Sequence, residues 1–223
     1  MLEVKEIYKT YGTKEILCGA SFEAASGECI GIAGGNGCGK TTLLSILAGV
    51  NRPDRGSVCF DGVEAVGKRG VFARHAAYVP QENPLIPELS AYDNYRLWFR
   101  GDKKRMEEDL HSGVGKRLGL SEFLSTPAGK LSGGQKKRLS IASALSGKAG
   151  VLILDEPGAA LDLAAKEEIL SYIKEYREQG GTVILTSHEM AELSVCTRMY
   201  ILKEGRLIPV KTGMTAAELI REM

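Results

Sequence analysis

An apolar run, Val151-Leu152-Ile153-Leu154, ends in two carboxylates and a proline, Asp155-Glu156-Pro157. Two acids at the tip of a buried strand are costly unless a cation or partner meets them. Asp155 has the chemistry to hold Mg²⁺ through water, and Glu156 that of a general base polarising an attacking water. Far upstream, Gly34-Gly35-Asn36-Gly37-Cys38-Gly39-Lys40-Thr41-Thr42 follows the apolar Cys29–Ala33 and fits G-x-x-x-x-G-K-[ST]. Glycines let consecutive backbone N–H groups turn inward around a phosphate without Cβ clashes. The helix that follows offers its positive dipole end to the anion. Lys40 can supply a point charge to β- and γ-phosphates, and the Thr41 hydroxyl can ligate Mg²⁺. A third motif, Leu131-Ser132-Gly133-Gly134-Gln135, precedes Lys136-Lys137-Arg138 and a helical run. Ser132 is a good N-cap, and the two glycines expose N–H groups at a helix start, a second anion site without its own lysine.

Each motif needs a strand to end or a helix to begin at the right residue. Val4–Lys9 and Ile16–Ala24 read as strands around the turn-like Tyr11-Gly12-Thr13-Lys14. Glu28–Ala33 reads as a buried strand entering the glycine loop, and Leu43, Leu44, Ile46 and Leu47 recur at helical spacing after it. Ser57–Phe60, Ala76–Val79, Val151–Leu154 and Thr182–Thr186 read as further strands, and Arg198–Leu202 with Arg206–Val210 flank Glu204-Gly205 as a hairpin. From Gln81 to Gly150 the β signal disappears; Tyr92, Tyr95, Trp98, Phe99, Leu110, Leu118 and Leu124 suggest helices broken by Gly and Pro. Leu163–Glu178 carries Ile169, Leu170, Ile173 and Tyr176 on one helical face, and Thr215–Met223 is a short helix capped by Thr215 with Glu218. This order is that of an α/β core, residues 1–81 and 151–223, with an α-helical subdomain inserted at 82–150.

The 223 residues carry 29 Lys+Arg against 28 Asp+Glu, a net charge of +1 that gives no bulk reason to expect nucleic-acid binding. No apolar run approaches the roughly 18–20 residues that span a bilayer, and the start has no basic region followed by an apolar one. The expectation is a cytoplasmic chain. Five cysteines, with no C-x-x-C spacing, argue for reduced thiols rather than a disulfide framework or a zinc site. Cys38 lies within the glycine loop, where alkylation would be expected to block ligand access. The 27 glycines, roughly 12% against a usual value near 7%, are in excess.

Together these motifs resemble the nucleotide-binding subunit of an ABC transporter over nearly the whole length. Gly34–Thr42 resembles Walker A, Val151–Pro157 resembles Walker B, and Leu131–Gln135 is similar to the family signature. Gln81 falls where the family has its Q-loop, Ala160-Leu161-Asp162 resembles the D-loop, His188 stands at the switch histidine, and Tyr11 resembles the aromatic that stacks on adenine, with Tyr8 as its substitute. The resemblance implies a single ABC ATP-binding domain of the P-loop NTPase fold, with a RecA-like core, an N-terminal antiparallel β subdomain and the inserted helical subdomain.

It implies ATP and Mg²⁺ as ligands. Glu156, His188, Gln81 and Lys40 would act in hydrolysis. Tyr11, Gly34–Thr42, Ser132–Gln135 and Asp162 would contact nucleotide, and Thr41, Gln81 and Asp155 would hold the metal. It further implies a head-to-tail homodimer or heterodimer in which each signature completes the partner's site. A membrane-spanning permease would hold the chain on the inner face of the cell membrane.

The segment Glu88–Gly101 resembles export-type cassettes; the alternative class is a non-transport ABC ATPase with soluble partners. The aromatic stretch around Leu85–Phe99 is either subdomain core or docking surface. Lys103-Lys104-Arg105 and Lys136-Lys137-Arg138 read as solvated helix faces. Gly35, Cys38, Ser143, Gly158 and Ala159 depart from the commoner family residues without removing a catalytic group.

Overall fold

Alternating burial along residues 2–24 sets the first two strands, β1 (Leu2–Tyr11) and β2 (Lys14–Ala24), which pair antiparallel across a tight turn. A run buried at all five residues follows as β3 (Cys29–Ala33), and helix α1 (Lys40–Leu47) opens directly from the glycine loop. The chain then forms β4 (Arg55–Phe60) and β5 (Val63–Glu64), passes through α2 (Arg69–His75) and enters β6 (Ala76–Val79). The insert that follows holds α3 (Ala91–Trp98), α4 (Lys103–Ser112), α5 (Val114–Arg117) and α6 (Gly133–Leu145), with no strand. After it come β7 (Val151–Asp155), α7 (Leu163–Glu178), β8 (Thr182–Thr186) and α8 (Met190–Leu193). The hairpin β9 (Arg198–Lys203) and β10 (Arg206–Val210) leads to α9 (Ala216–Glu222). This computed structural model describes all 223 residues, and none of its helices is long and apolar enough to cross a membrane.

The strands form two sheets, a four-stranded antiparallel one in the order β2-β1-β4-β5 and a six-stranded one in the order β10-β9-β3-β8-β7-β6. Within the larger sheet all neighbours are parallel except β10 against β9. β3, β7 and β8 are buried at every residue, as strands covered on both faces must be. Their two-residue period divides them between two cores: Ile30, Ile32, Ile153 and Ile184 pack with α1 and the smaller sheet, while Leu152, Leu154, Val183 and Leu185 pack with the insert and α7. The consequence for function is topological. β3, β8, β7 and β6 lie side by side and run the same way, so the loops at their C-terminal ends emerge along one edge.

Several elements differ from the sequence reading. β1 and β2 extend further because their ends are fixed by pairing, Tyr11 with Lys14, not by polarity. α2 has one buried residue, Phe72, so no apolar stripe announced it. The aromatic stretch splits residue by residue: Tyr95 is fully buried, Tyr92 and Phe99 are packed on its edge, and Ile86, Leu97 and Trp98 are exposed. Lys103-Lys104-Arg105 is a solvated face, but Lys136-Lys137-Arg138 is not. Lys137 is only 2% exposed and Arg138 lies over the Phe123 ring, because α6 is packed against both β6 and α3. All five cysteines are free; Cys38 packs toward the apolar cluster beneath α1 instead of forming the wall of the nucleotide-sized cavity described next.

Candidate active site

The phosphate loop is built around a residue that has to be glycine. Gly39 has φ 111°, and a Cβ there would lie 2.8 Å from Ile16 Cγ2. α1 starts at the next residue, and no side chain caps it. Its first-turn N–H groups therefore keep their hydrogen-bonding capacity for an anion. Asn36, Gly37, Gly39, Lys40, Thr41, Thr42, Gln81 and Glu156 line one open cavity of ≈ 420 Å³ together with Ile16.

Lys40 is nearly buried, and its Nζ donates to Gly34 O at 2.8 Å and Gly35 O at 3.3 Å. The same Nζ lies 3.0 Å from His188 Nε2, which lies 3.3 Å from Glu156 Oε1. Gln81 Nε2 donates to the other carboxylate oxygen, Glu156 Oε2, at 3.0 Å. His188 Nε2 can accept from Lys40 when its ring hydrogen is on Nδ1, or donate to Glu156 when the hydrogen is on Nε2. The two arrangements exclude each other, so the position of one ring hydrogen decides whether the imidazole pairs with the phosphate-loop lysine or with the carboxylate.

The carboxylates are held by the neighbouring strand. Glu156 adopts φ 46°, a left-handed conformation that costs a non-glycine residue about 1–3 kcal/mol. Its N–H donates to Thr186 Oγ1 at 3.1 Å and Thr186 O at 3.2 Å, which stabilises the turn. Thr186 also donates through Oγ1 to Asp155 Oδ1 at 2.7 Å. Asp155 is 1% exposed, and its Oδ2 is buried without a hydrogen-bond partner. An orphaned carboxylate oxygen beside an anion cavity is the donor a hard divalent cation takes. On the adjacent strand, burial pushes the Tyr78 hydroxyl up to about 12, with the Asp155 charge adding to the effect.

Other residues singled out in the sequence lie elsewhere. Gly34 and Gly35 grip Lys40 through their carbonyls. Tyr11 sits at the β1–β2 turn, 48% exposed, 3.4 Å from Asn51 Nδ2 and outside the cavity wall. Tyr8 is covered by the Arg55 guanidinium at 4.6 Å. Ser132 and Gln135 close a capping box at the start of α6: Ser132 Oγ accepts from Gln135 N at 3.2 Å and Gln135 Oε1 accepts from Ser132 N at 3.0 Å. Gly134 permits close approach to α7, since a Cβ there would lie 2.6 Å from Ala165 Cβ. Asp162 caps α7 by accepting from Ala165 N at 2.8 Å. The cavity wall thus brings together Asn36, Gly37, Gly39–Thr42, Gln81 and Glu156; His188 joins it through Lys40 and Glu156, Asp155 is tied behind it through Thr186, and Tyr11, Gly34, Gly35, Cys38, Ser132–Gln135 and Asp162 lie outside the wall. Sequence reasoning missed Ile16 and Thr186. A threonine ending an apolar strand just before Ser187-His188 was the available signal for the second.

An uncapped helix behind a glycine loop, with Gln81 and His188 on the Glu156 carboxylate and Lys40 joined to it through His188, defines a nucleoside-triphosphate site. The chain matches the family described as ABC transporter over residues 17–159. It is 37% identical over 221 residues to the linearmycin resistance ATP-binding protein LnrL of Bacillus subtilis (strain 168), covering 95% of this chain and 69% of that protein. It is also 37% identical over 218 residues to the Fe(3+) ions import ATP-binding protein FbpC of Mesorhizobium japonicum, covering 95% and 60%. Among solved structures, a dimeric post-hydrolysis state of an ATP-binding cassette bound to ADP and Pi superimposes with TM-score 0.85 at 25% identity, covering 96% of this chain and all of that one. The chain belongs to the ABC transporter family and is an ATPase cassette of it, with the P-loop fold expected from the motifs. It spans 44% to 72% of the length of the curated relatives it matches.

Proposed function

We propose that this cassette is the ATP-hydrolysing subunit of a membrane transporter, and that it works as a head-to-tail dimer. The observation that carries the reading is that Gln81 and His188 both reach the Glu156 carboxylate while the same His188 nitrogen lies against Lys40 of the phosphate loop. ATP lies with its phosphates against the Gly34–Thr42 backbone, Lys40 bridging the β- and γ-phosphates. Glu156 takes the proton of a water attacking the γ-phosphorus as the bond to the β-phosphate oxygen breaks, releasing ADP and phosphate. Gln81 and His188 orient the carboxylate and the phosphate. Thr41, Gln81 and the unpartnered oxygen of Asp155 would hold Mg²⁺, which when bound neutralises phosphate charge. Tyr11 stacks on the base. Ser132–Gln135 and Asp162, absent from the chain's own cavity, complete the site of a second cassette, so that ATP closes the pair and hydrolysis opens it.

The membrane subunit is proposed to dock in the ≈ 560 Å³ groove between core and insert, bordered by Phe72, Tyr78, Leu85 and Trp98 next to the Gln81 segment. Residues 82–150 then act as the moving lobe against the core formed by 1–81 and 151–223. This arrangement locates the chain on the cytoplasmic face of the membrane. Direction is read as export from the resemblance of residues 88–101; cargo uptake into inverted vesicles carrying the complex tests it. Glu156→Gln tests the chemistry: ATP binding is retained and turnover falls about 10²–10⁴-fold. Hydrolysis by that variant at the wild-type rate removes Glu156 as the base.

A further inference from the structure

Lys137 is a buried lysine outside the phosphate cavity. It lies on α6 two residues after the signature Gln135 and is 2% exposed. Its Nζ donates to Pro80 O and Gln81 O, both at 3.2 Å, where the chain leaves β6 for the insert. Burial pushes its ammonium down to about 8, opposed by the carboxylates of Asp155 and Glu192 that face it. A side chain that only filled this space would do so better without a charge, because burying an ammonium costs stability that methionine would not. The charge supplies strong hydrogen bonds to two backbone acceptors that belong to a loop. The second of those acceptors is the main chain of Gln81, whose side-chain amide donates to Glu156 at 3.0 Å.

We propose that Lys137 is a positioning residue that ties the signature helix to the backbone of Gln81 and so sets the reach of the Gln81 amide to Glu156. A shift of α6, whose N-terminus faces the partner's nucleotide in the proposed dimer, then moves the group that orients the base in the chain's own site. The connection is short: from the Ser132 cap along one turn of α6 to Lys137, then through one residue to the carboxylate. The inference rests on Glu156 being the base.

The test is steady-state ATP hydrolysis by the purified full chain with substitutions at position 137. Lys137→Met keeps the length and removes the donor; kcat falls about tenfold while KM for ATP stays within twofold. Lys137→Arg, which keeps a cationic donor, recovers at least half of the lost rate. If the lysine acts through Gln81, Lys137→Met changes kcat less than twofold in a Gln81→Ala background.

The proposal is overturned if Lys137→Met has a wild-type kcat, if KM moves instead of kcat, if Arg is no better than Met, or if the tenfold loss persists without the Gln81 side chain. Should the Met variant not fold, Lys137→Gln in the same two backgrounds decides by the same coupling. Wild-type turnover by Glu156→Gln would remove the premise, whereas an inactive Glu156→Gln beside a fully active Lys137→Met removes only the role of the lysine.

Discussion

The two glycine-rich helix starts, at Gly39 and at Gly133-Gly134, share a vocabulary and differ in physics. At the first, Gly39 takes a left-handed conformation, no side chain caps α1, and Lys40 lies at its mouth. At the second, Ser132 and Gln135 cap α6 reciprocally, there is no lysine within the box, and Gly134 is small because α7 packs against it. An uncapped N-terminus with a cation is a complete phosphate site in one chain. A self-capped N-terminus has already spent part of its hydrogen-bonding capacity, and holds an anion only when another surface supplies the charge. The contrast lets two glycine-rich helix starts coexist in one chain without competing for one anion: the first is equipped to hold it alone and the second is not.

The largest expected effect falls on the first region. Lys40→Ala removes the only ammonium in the cavity wall and should lower kcat/KM for ATP about 10²–10³-fold. An ATPase rate within tenfold of wild type would mean that the loop backbone alone suffices and would erase the difference between the two sites. A moderate effect separates their glycines. Gly134→Val overpacks the α6–α7 contact and should cost about 1–3 kcal/mol in denaturant unfolding. Gly35→Ala, where a Cβ meets nothing within 4 Å, should change stability by less than about 0.5 kcal/mol. Equal costs would show that both loops use glycine for one reason.

The smallest effect concerns Glu192, 2% exposed on α8, whose carboxyl packs so close to Gly158 that a Cβ there would meet it. Its pKa is raised by burial, so the folded chain binds more protons than the unfolded one above the ordinary carboxyl range. Its contribution to stability is full below about pH 4.5 and is lost as pH rises through the raised folded value. Glu192→Gln should therefore gain on wild type in unfolding free energy as pH rises from 4.5 toward 7; a difference constant with pH would contradict that assignment.

Much of the site was legible because its chemistry is local. The phosphate loop and the Asp155-Glu156 pair each announce themselves within nine residues, with the flanking strand and helix in the same stretch. Their meeting was legible only through the resemblance, since it depends on the order β3-β8-β7-β6, which no local signal carries. Lys137 was read as solvated because it sits in a basic triplet; its burial comes from Pro80 and Gln81, more than fifty residues away in sequence. Trp98 and Tyr95 lie on one short helix with the same apolar character, yet one is exposed and the other buried, because α3 is covered on one side only. Ile16 was unreadable as a wall residue because its neighbour Gly39 comes from the loop between β3 and α1, more than twenty residues away in sequence.

The central claim is that the signature of one chain completes the site of another. In a Glu156→Gln background, chains carrying Lys40→Ala are mixed with chains carrying Ser132→Arg, and the ATP retained per dimer is counted after gel filtration. The account predicts essentially none for either chain alone and one ATP per mixed dimer, because the mixed pair contains a single intact combination of phosphate loop and signature. Mixed chains that remain monomeric and retain no ATP would contradict it.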